Sequence, residues 1–171
     1  FKNTTKTGTD IKVTKEWKQT DGTTDHVSKQ GDTITFNLYQ LGVEEPLATN
    51  LSVNYKKDVS YVYNNGSFTS TDGDTVSGWG TTTITGLPMA ASGSDSIQYY
   101  VVETACSENG ASVEKKYKVG SSGTLVTEAE NAVVVNADNP IVIYNQDVDT
   151  STSIKIIKVD AHNENKKLPK A

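Results

Sequence analysis

Arginine is missing altogether from this chain of 171 residues: all sixteen basic side chains are lysines, and the formal net charge is −5. That balance argues against nucleic-acid recognition, whose commonest specific device is a bidentate arginine contact. Cysteine is reduced to Cys106, so no internal disulfide can form. Cys106 reads as an incidental small residue rather than a reactive thiol. A chain of this length can build a hydrophobic core without a bridge. No apolar run reaches membrane-spanning length, and no signal peptide is visible. The chain opens on FKNTT with no initiator Met, which reads as a segment excised from a longer polypeptide. Helical periodicity is lacking too.

What is present is Thr, Ser, Asn, Asp and Gly between short apolar runs rich in Val, Ile, Thr and Tyr, a pattern of strands and turns. It predicts an all-β fold, a sandwich or barrel. Strands are expected at 11–17, 32–40, 51–56, 60–64, 80–86, 97–105, 114–120, 132–137, 140–146 and 153–160. Turn signals include DGTT (21–24), NNGS (64–67), TDGD (71–74), SGSD (92–95), SENG (107–110) and SSG (121–123). The TEAEN segment around residue 129 could make one short helical turn. The polar, acidic stretch QDVDTSTS reads as a linker, after which SIKIIKVD begins a new strand. One complete domain is therefore expected over 10–147, with 1–9 as the end of a preceding unit and 148–171 as a linker and the first strand of the next.

Three strands carry a polar residue on an otherwise apolar face. In IKVTKEW, period two places Ile11, Val13, Lys15 and Trp17 together. In IQYYVVETA it places Tyr99, Val101 and Glu103 together, and in PIVIYNQ it places Ile141, Ile143 and Asn145 together. Burying a charge costs several kcal/mol unless it is paired. A buried Lys–Glu ion pair with a nearby Asn is one reading. The other is chemical, because burial lowers a lysine pKa and makes the amine nucleophilic, while it raises a glutamate pKa and keeps the acid protonated. Lys15 could then attack the Asn145 amide with Glu103 as proton shuttle, leaving one neutral isopeptide bond. Spacing alone does not separate the two.

The segments VTKEW, TITFNLYQLG, GWGTTTITGLP, IQYYVVET and IVIYNQ, in this order, resemble the Cna B-type domain of Gram-positive surface adhesins and pilins. Lys15 matches the family's V-x-K-x-W strand, Glu103 its Y-x-V-x-E strand and Asn145 its last strand. Trp79 and Gly86-Leu87-Pro88 match the link between a Trp-bearing strand and a G-L-P segment. The resemblance implies a two-sheet β-sandwich of inverse immunoglobulin-like topology, with a spontaneous Lys15–Asn145 isopeptide bond assisted by Glu103. It also implies a structural stalk module of a cell-wall-anchored adhesin or pilus protein, extracellular at the cell surface. The module would perform no turnover chemistry, since the bond forms once. Its partners would be adjacent tandem domains of the same polypeptide. In the same light SIKIIKVD resembles the opening of a following domain, with Lys158 as its bond-forming lysine. FKNT resembles the end of a preceding one, with Asn3 as acceptor.

Residues 47–78 and 106–131 exceed the compact members of that family. Extended hairpins or loops are expected there, and they are the place for a glycan or host-matrix ligand if the domain is instead a binding module. The tyrosines at 55, 61, 63, 99, 100, 117 and 144 read first as strand packing. No cofactor is expected. TDGDT (71–75), NADNP (136–140) and DVDT (147–150) lack the full Ca²⁺-loop pattern and read as turns. His26 and His162 stand far apart in polar surroundings, which supports neither a zinc site nor a catalytic triad. LPKA (168–171) lacks the Thr-Gly and apolar tail of a sorting signal, and no pilin lysine motif is seen, which favours an adhesin stalk over a polymerising subunit.

Overall fold

A computed structural model describes residues 9–89, 97–118, 123–135, 140–149, 159–160 and 163–167. Among them there is no α-helix, and the chain is all-β as its composition predicts. In chain order the strands are β1 (Thr9–Lys18), β2 (Thr33–Gln40), β3 (Ala48–Asn64), β4 (Ser67–Trp79), β5 (Thr82–Leu87), β6 (Tyr99–Glu108), β7 (Ala111–Ser112), β8 (Lys115–Lys118), β9 (Leu125–Val126), β10 (Val134–Val135), β11 (Ile141–Asp147), β12 (Val159–Asp160) and β13 (Asn163–Lys167). A single 3₁₀ turn, Ala129–Asn131, occupies the TEAEN segment.

β1 to β11 form one mixed sheet with the order β10-β6-β2-β3-β5-β1-β11-β8-β9, with β4 added to β3 and β7 to β6. The long strand β3 holds this path together. Its first half pairs with β2, and its second half pairs with β4 and, in parallel, with β5. The sheet turns back on itself, since β10 comes into contact with β11 although they stand far apart in the strand order. Inward residues of β1, β2, β3, β5, β6, β10 and β11 accordingly share one buried cluster.

Two of the expected strands, 51–56 and 60–64, are halves of β3. The polar stretch between them breaks the apolar alternation, but bulges flank Lys57, and Lys56 takes a positive φ of 66°, so the ladder continues through it. The NNGS and SENG signals are hairpin turns as their chemistry demands: Asn65-Gly66 and Asn109-Gly110 all have positive φ. Trp79 ends β4 rather than opening β5, because Gly80 breaks the strand where its backbone meets that of β3. Residues 47–78 form the β3–β4 hairpin, whose β4 side is exposed through most of its length. Val159–Asp160 pairs with Asn163–Lys167 as a separate two-stranded sheet. Lys158 and Asn3 lie outside the described residues, as does His162.

Candidate functional site

β1 and β11 lie side by side in parallel, with Val13 opposite Ile141, Lys15 opposite Ile143 and Trp17 opposite Asn145. All six side chains are buried. The inward face read from IKVTKEW is therefore the inward face of the fold, lysine included. Lys15 sits one inward position before the level of Asn145, about 6.6 Å along the strand, a span within reach of a lysine side chain.

Glu103 arrives from β6, on the face shared with Tyr99 and Val101, and is 5% exposed against 0% for Asn145. Asn145 Nδ2 donates to Glu103 Oε1 across 3.2 Å. Glu103 Oε2 and Asn145 Oδ1 are buried with no hydrogen-bond partner among the described residues. A buried polar atom left unpaired costs about 1–3 kcal/mol, so this is a centre with unspent capacity to bond. Beside it is a void of only about 10 Å³, lined by Val101, Glu103, Tyr117 and Ile143 among others.

Lys15 Nζ donates to the Glu16 carbonyl at 2.7 Å and lies 5.3 Å from the Trp17 ring centroid. Burial pushes its amine down to about 7, against the opposing pull of Glu103. Burial likewise raises the Glu103 carboxyl above its ordinary range, despite the neighbouring Lys15 and Lys115. Both shifts run in the direction needed for an uncharged amine beside a protonatable acid.

The ion pair at the centre is made by a residue the sequence reading did not single out. Lys115, on β8, places Nζ 3.2 Å from Glu103 Oε1, with both side chains almost wholly buried. It also donates to the Val113 carbonyl at 3.3 Å. Over the expected strand 114–120, period two puts Lys115 with Tyr117 and Val119 and sets Lys116 and Lys118 on the other face, a signal the sequence reading left unused. Pairing with β11 decides which face is inward, through Asn145 opposite Tyr117 and Asp147 opposite Lys115.

Cys106 is also brought inside. Between Phe36 opposite Glu103 and Thr35 opposite Ala105, Thr104 is an extra residue. This bulge reverses the phase of β6, so Tyr99, Val101 and Glu103 face inward before it and Cys106 after it. Burial pushes the thiol up to about 11, which leaves it protonated and unreactive near neutrality.

His26 is not the isolated residue its surroundings in sequence suggest. Its ring stacks on Trp17 at 4.0 Å and 9°. Nδ1 lies 2.9 Å from Asp147 Oδ2, and Nε2 lies 3.2 Å from Glu108 Oε1. Asp147 Oδ1 accepts from Trp17 Nε1 at 2.8 Å. Nδ1 hydrogen-bonds the Asp147 carboxylate, whereas Nε2 lies near Glu108 without a hydrogen bond, and the group packs against Trp17 where β1 lies opposite Asn145 of β11. No cluster of His, Cys, Asp and Glu suited to a metal ion occurs among the described residues. No family model, curated protein or solved structure was found to match the chain.

Proposed function

We propose that this chain is a structural module that closes itself with a Lys15–Asn145 isopeptide bond, as a Cna B-type sandwich of a surface adhesin or pilus stalk would. The observation that carries the reading is the meeting of Glu103 with Asn145, at 3.2 Å in the buried core, on the same buried face as a lysine whose amine is pushed down to about 7. Buried polar groups so close together, with two of their atoms unpaired, are costly in a module that needs only to fold.

The chemistry balances within the site. Uncharged Lys15 Nζ attacks Asn145 Cγ. Glu103 polarises the amide and relays a proton from Nζ to Nδ2. The Cγ–Nδ2 bond breaks, ammonia leaves, and one secondary amide replaces an amine and a primary amide. The two-sheet, inverse immunoglobulin-like arrangement belongs to the same proposal. It is supported by the sheet's return upon itself around one core and by the neighbouring first and last strands of the 10–147 unit. On this reading the module is extracellular, in a chain of tandem domains, and turns over no substrate.

Intact mass tests it. Loss of one ammonia makes the folded chain about 17 Da lighter than its sequence, and tandem mass spectra of a digest place the link between the peptides of Lys15 and Asn145. A full-length mass in folded protein overturns the reading.

A second reading, a ligand-binding adhesin domain, is favoured by the exposed β3–β4 hairpin. A groove of about 550 Å³ at its base is lined by Gln30, Asn54, Tyr55, Lys56 and Thr75 among others. Glycan and matrix-protein arrays test it, and binding that survives substitution of Tyr55 and Lys56 would count against that groove.

A further inference from the structure

A buried Lys–Glu–Asn centre needs one lysine, and this core contains two. We propose that Lys115 is a positioning residue for the crosslink: its buried ammonium orients the Glu103 carboxyl onto the Asn145 amide and repels a second positive charge at Lys15. The inference rests on the isopeptide reading above and assigns a role that reading leaves open.

The geometry fixes Lys115 on two sides. Its Nζ is held by the Val113 carbonyl at 3.3 Å and by Glu103 Oε1 at 3.2 Å. The same Oε1 accepts from Asn145 Nδ2 at 3.2 Å. One carboxylate oxygen therefore joins the ammonium of β8 to the amide of β11, while Oε2 carries no bond among the described residues. Lys115 holds the carboxyl by one oxygen and leaves the other to move the proton.

Charge decides which lysine reacts. A single buried carboxylate neutralises one ammonium, and a second would stand uncompensated at a cost of several kcal/mol. Lys115 has the ion pair and a backbone acceptor, whereas Lys15 hydrogen-bonds only the Glu16 carbonyl among the described residues. The groups that act on Lys15 are its desolvation, Glu103, Cys106, Lys115 and Glu16. Of these, desolvation and Lys115 disfavour its charge. The groups acting on Lys115 are desolvation, Glu103, Cys106 and Tyr117, and the result lies above the ordinary lysine range. Lys115 thus stays an ammonium while Lys15 becomes an amine. The proton released from Lys15 Nζ travels by Glu103 to the departing ammonia, and Lys115 keeps its own throughout.

The experiment follows bond formation during refolding. The full chain, purified unfolded and unreacted, is diluted into buffers spanning mildly acidic to alkaline pH, and intact mass is followed with time. The wild-type rate is expected to climb through about pH 7 as Lys15 loses its proton. Lys115→Met should move that midpoint upward by about one unit and slow the reaction roughly fivefold at about pH 7, approaching about tenfold at more acidic pH. Lys115→Arg, which keeps the charge, should retain the wild-type midpoint. The inference is overturned if Lys115→Met reacts with the wild-type profile, if it slows without a shift in midpoint, if the arginine variant shifts as the methionine variant does, or if digest spectra put Lys115 itself in the bond. If the wild type never loses ammonia, the isopeptide reading fails, and this inference with it. If the wild type reacts and the variants are indifferent, only the role of Lys115 falls.

Discussion

On the proposed reading the chemistry turns on Glu103, which hydrogen-bonds Asn145 and pairs with the Lys115 ammonium. Glu103→Gln keeps the shape and removes the proton relay, so the variant should fold with the full mass of its sequence while the wild type is about 17 Da lighter. A glutamine variant that still loses ammonia would remove Glu103 from the mechanism. The pH dependence of stability gives an independent check in Asn145→Ala, which cannot form the bond and leaves Lys15 free. The folded-state value of Lys15, about 7, lies below its unfolded value of 10.5. Between those limits the unfolded chain holds more protons at Lys15, so the stability of the variant should rise with pH from about 7 to about 9, by at most about 1.4 kcal/mol per pH unit. Glu103, raised by burial, works in the opposite sense from 4.5 upward; Cys106, raised from 9.0 to about 11, offsets the Lys15 rise above 9; and Lys115 titrates above 10.5, outside this window. If the wild type is crosslinked as proposed, Lys15 is an amide there and that rise should vanish, as urea titrations across pH would show. Lys15, Glu103 and Asn145 were legible in the sequence because each interrupts a clean apolar face. Lys115 was passed over although it shares a face with Tyr117 and Val119, because its strand is short and crowded with lysines, and the pairing with β11 shows which side is in.

At the scale of elements, the junction between β3, β4 and β5 holds the sheet on its curved path. Gly80 donates its N–H to the Asn54 carbonyl at 2.9 Å, and a Cβ there would land on the Lys57 carbonyl. Gly80→Ala should therefore cost about 3 kcal/mol, because backbone and not a flexible side chain must give way. Gly66, at the hairpin tip with φ 88°, has nothing within 4 Å of a Cβ, so Gly66→Ala should cost only the left-handed backbone penalty, about 1–2 kcal/mol. Thermal melts of the pair decide it, and equal costs would mean that the close approach at Gly80 is not what fixes the junction. The hairpin turns were legible because Asn-Gly favours positive φ so strongly. β4 was not legible as a strand. Its residues Thr69–Thr75 are exposed on both faces, so no burial imposes a period on their sequence. The bulge at Thr104 was hidden for a related reason: a phase reversal leaves the strand's composition unchanged.

For the whole molecule, the parallel contact of β1 with β11 determines how force enters. Strands that run side by side in the same direction and are pulled from the start of one and the end of the other are loaded in shear, with every bond of the ladder sharing the load. A Lys15–Asn145 bond lies within that ladder and would carry the load covalently from one strand to the other. It would also close a loop over nearly the whole domain, which by the loop-entropy argument stabilises by about 5 kcal/mol, so Asn145→Ala should melt well below the wild type. Pulling single chains by their ends separates this static effect from the mechanical one. The crosslinked wild type should release none of the residues between 15 and 145 at any force short of covalent rupture. Asn145→Ala should unfold in a step of roughly 450 Å, the extended length of that segment at about 3.5 Å per residue. A wild type that extends by the same step carries no crosslink on its load path. A variant that resists as the wild type does would mean that the shear ladder alone, not the bond, bears the force.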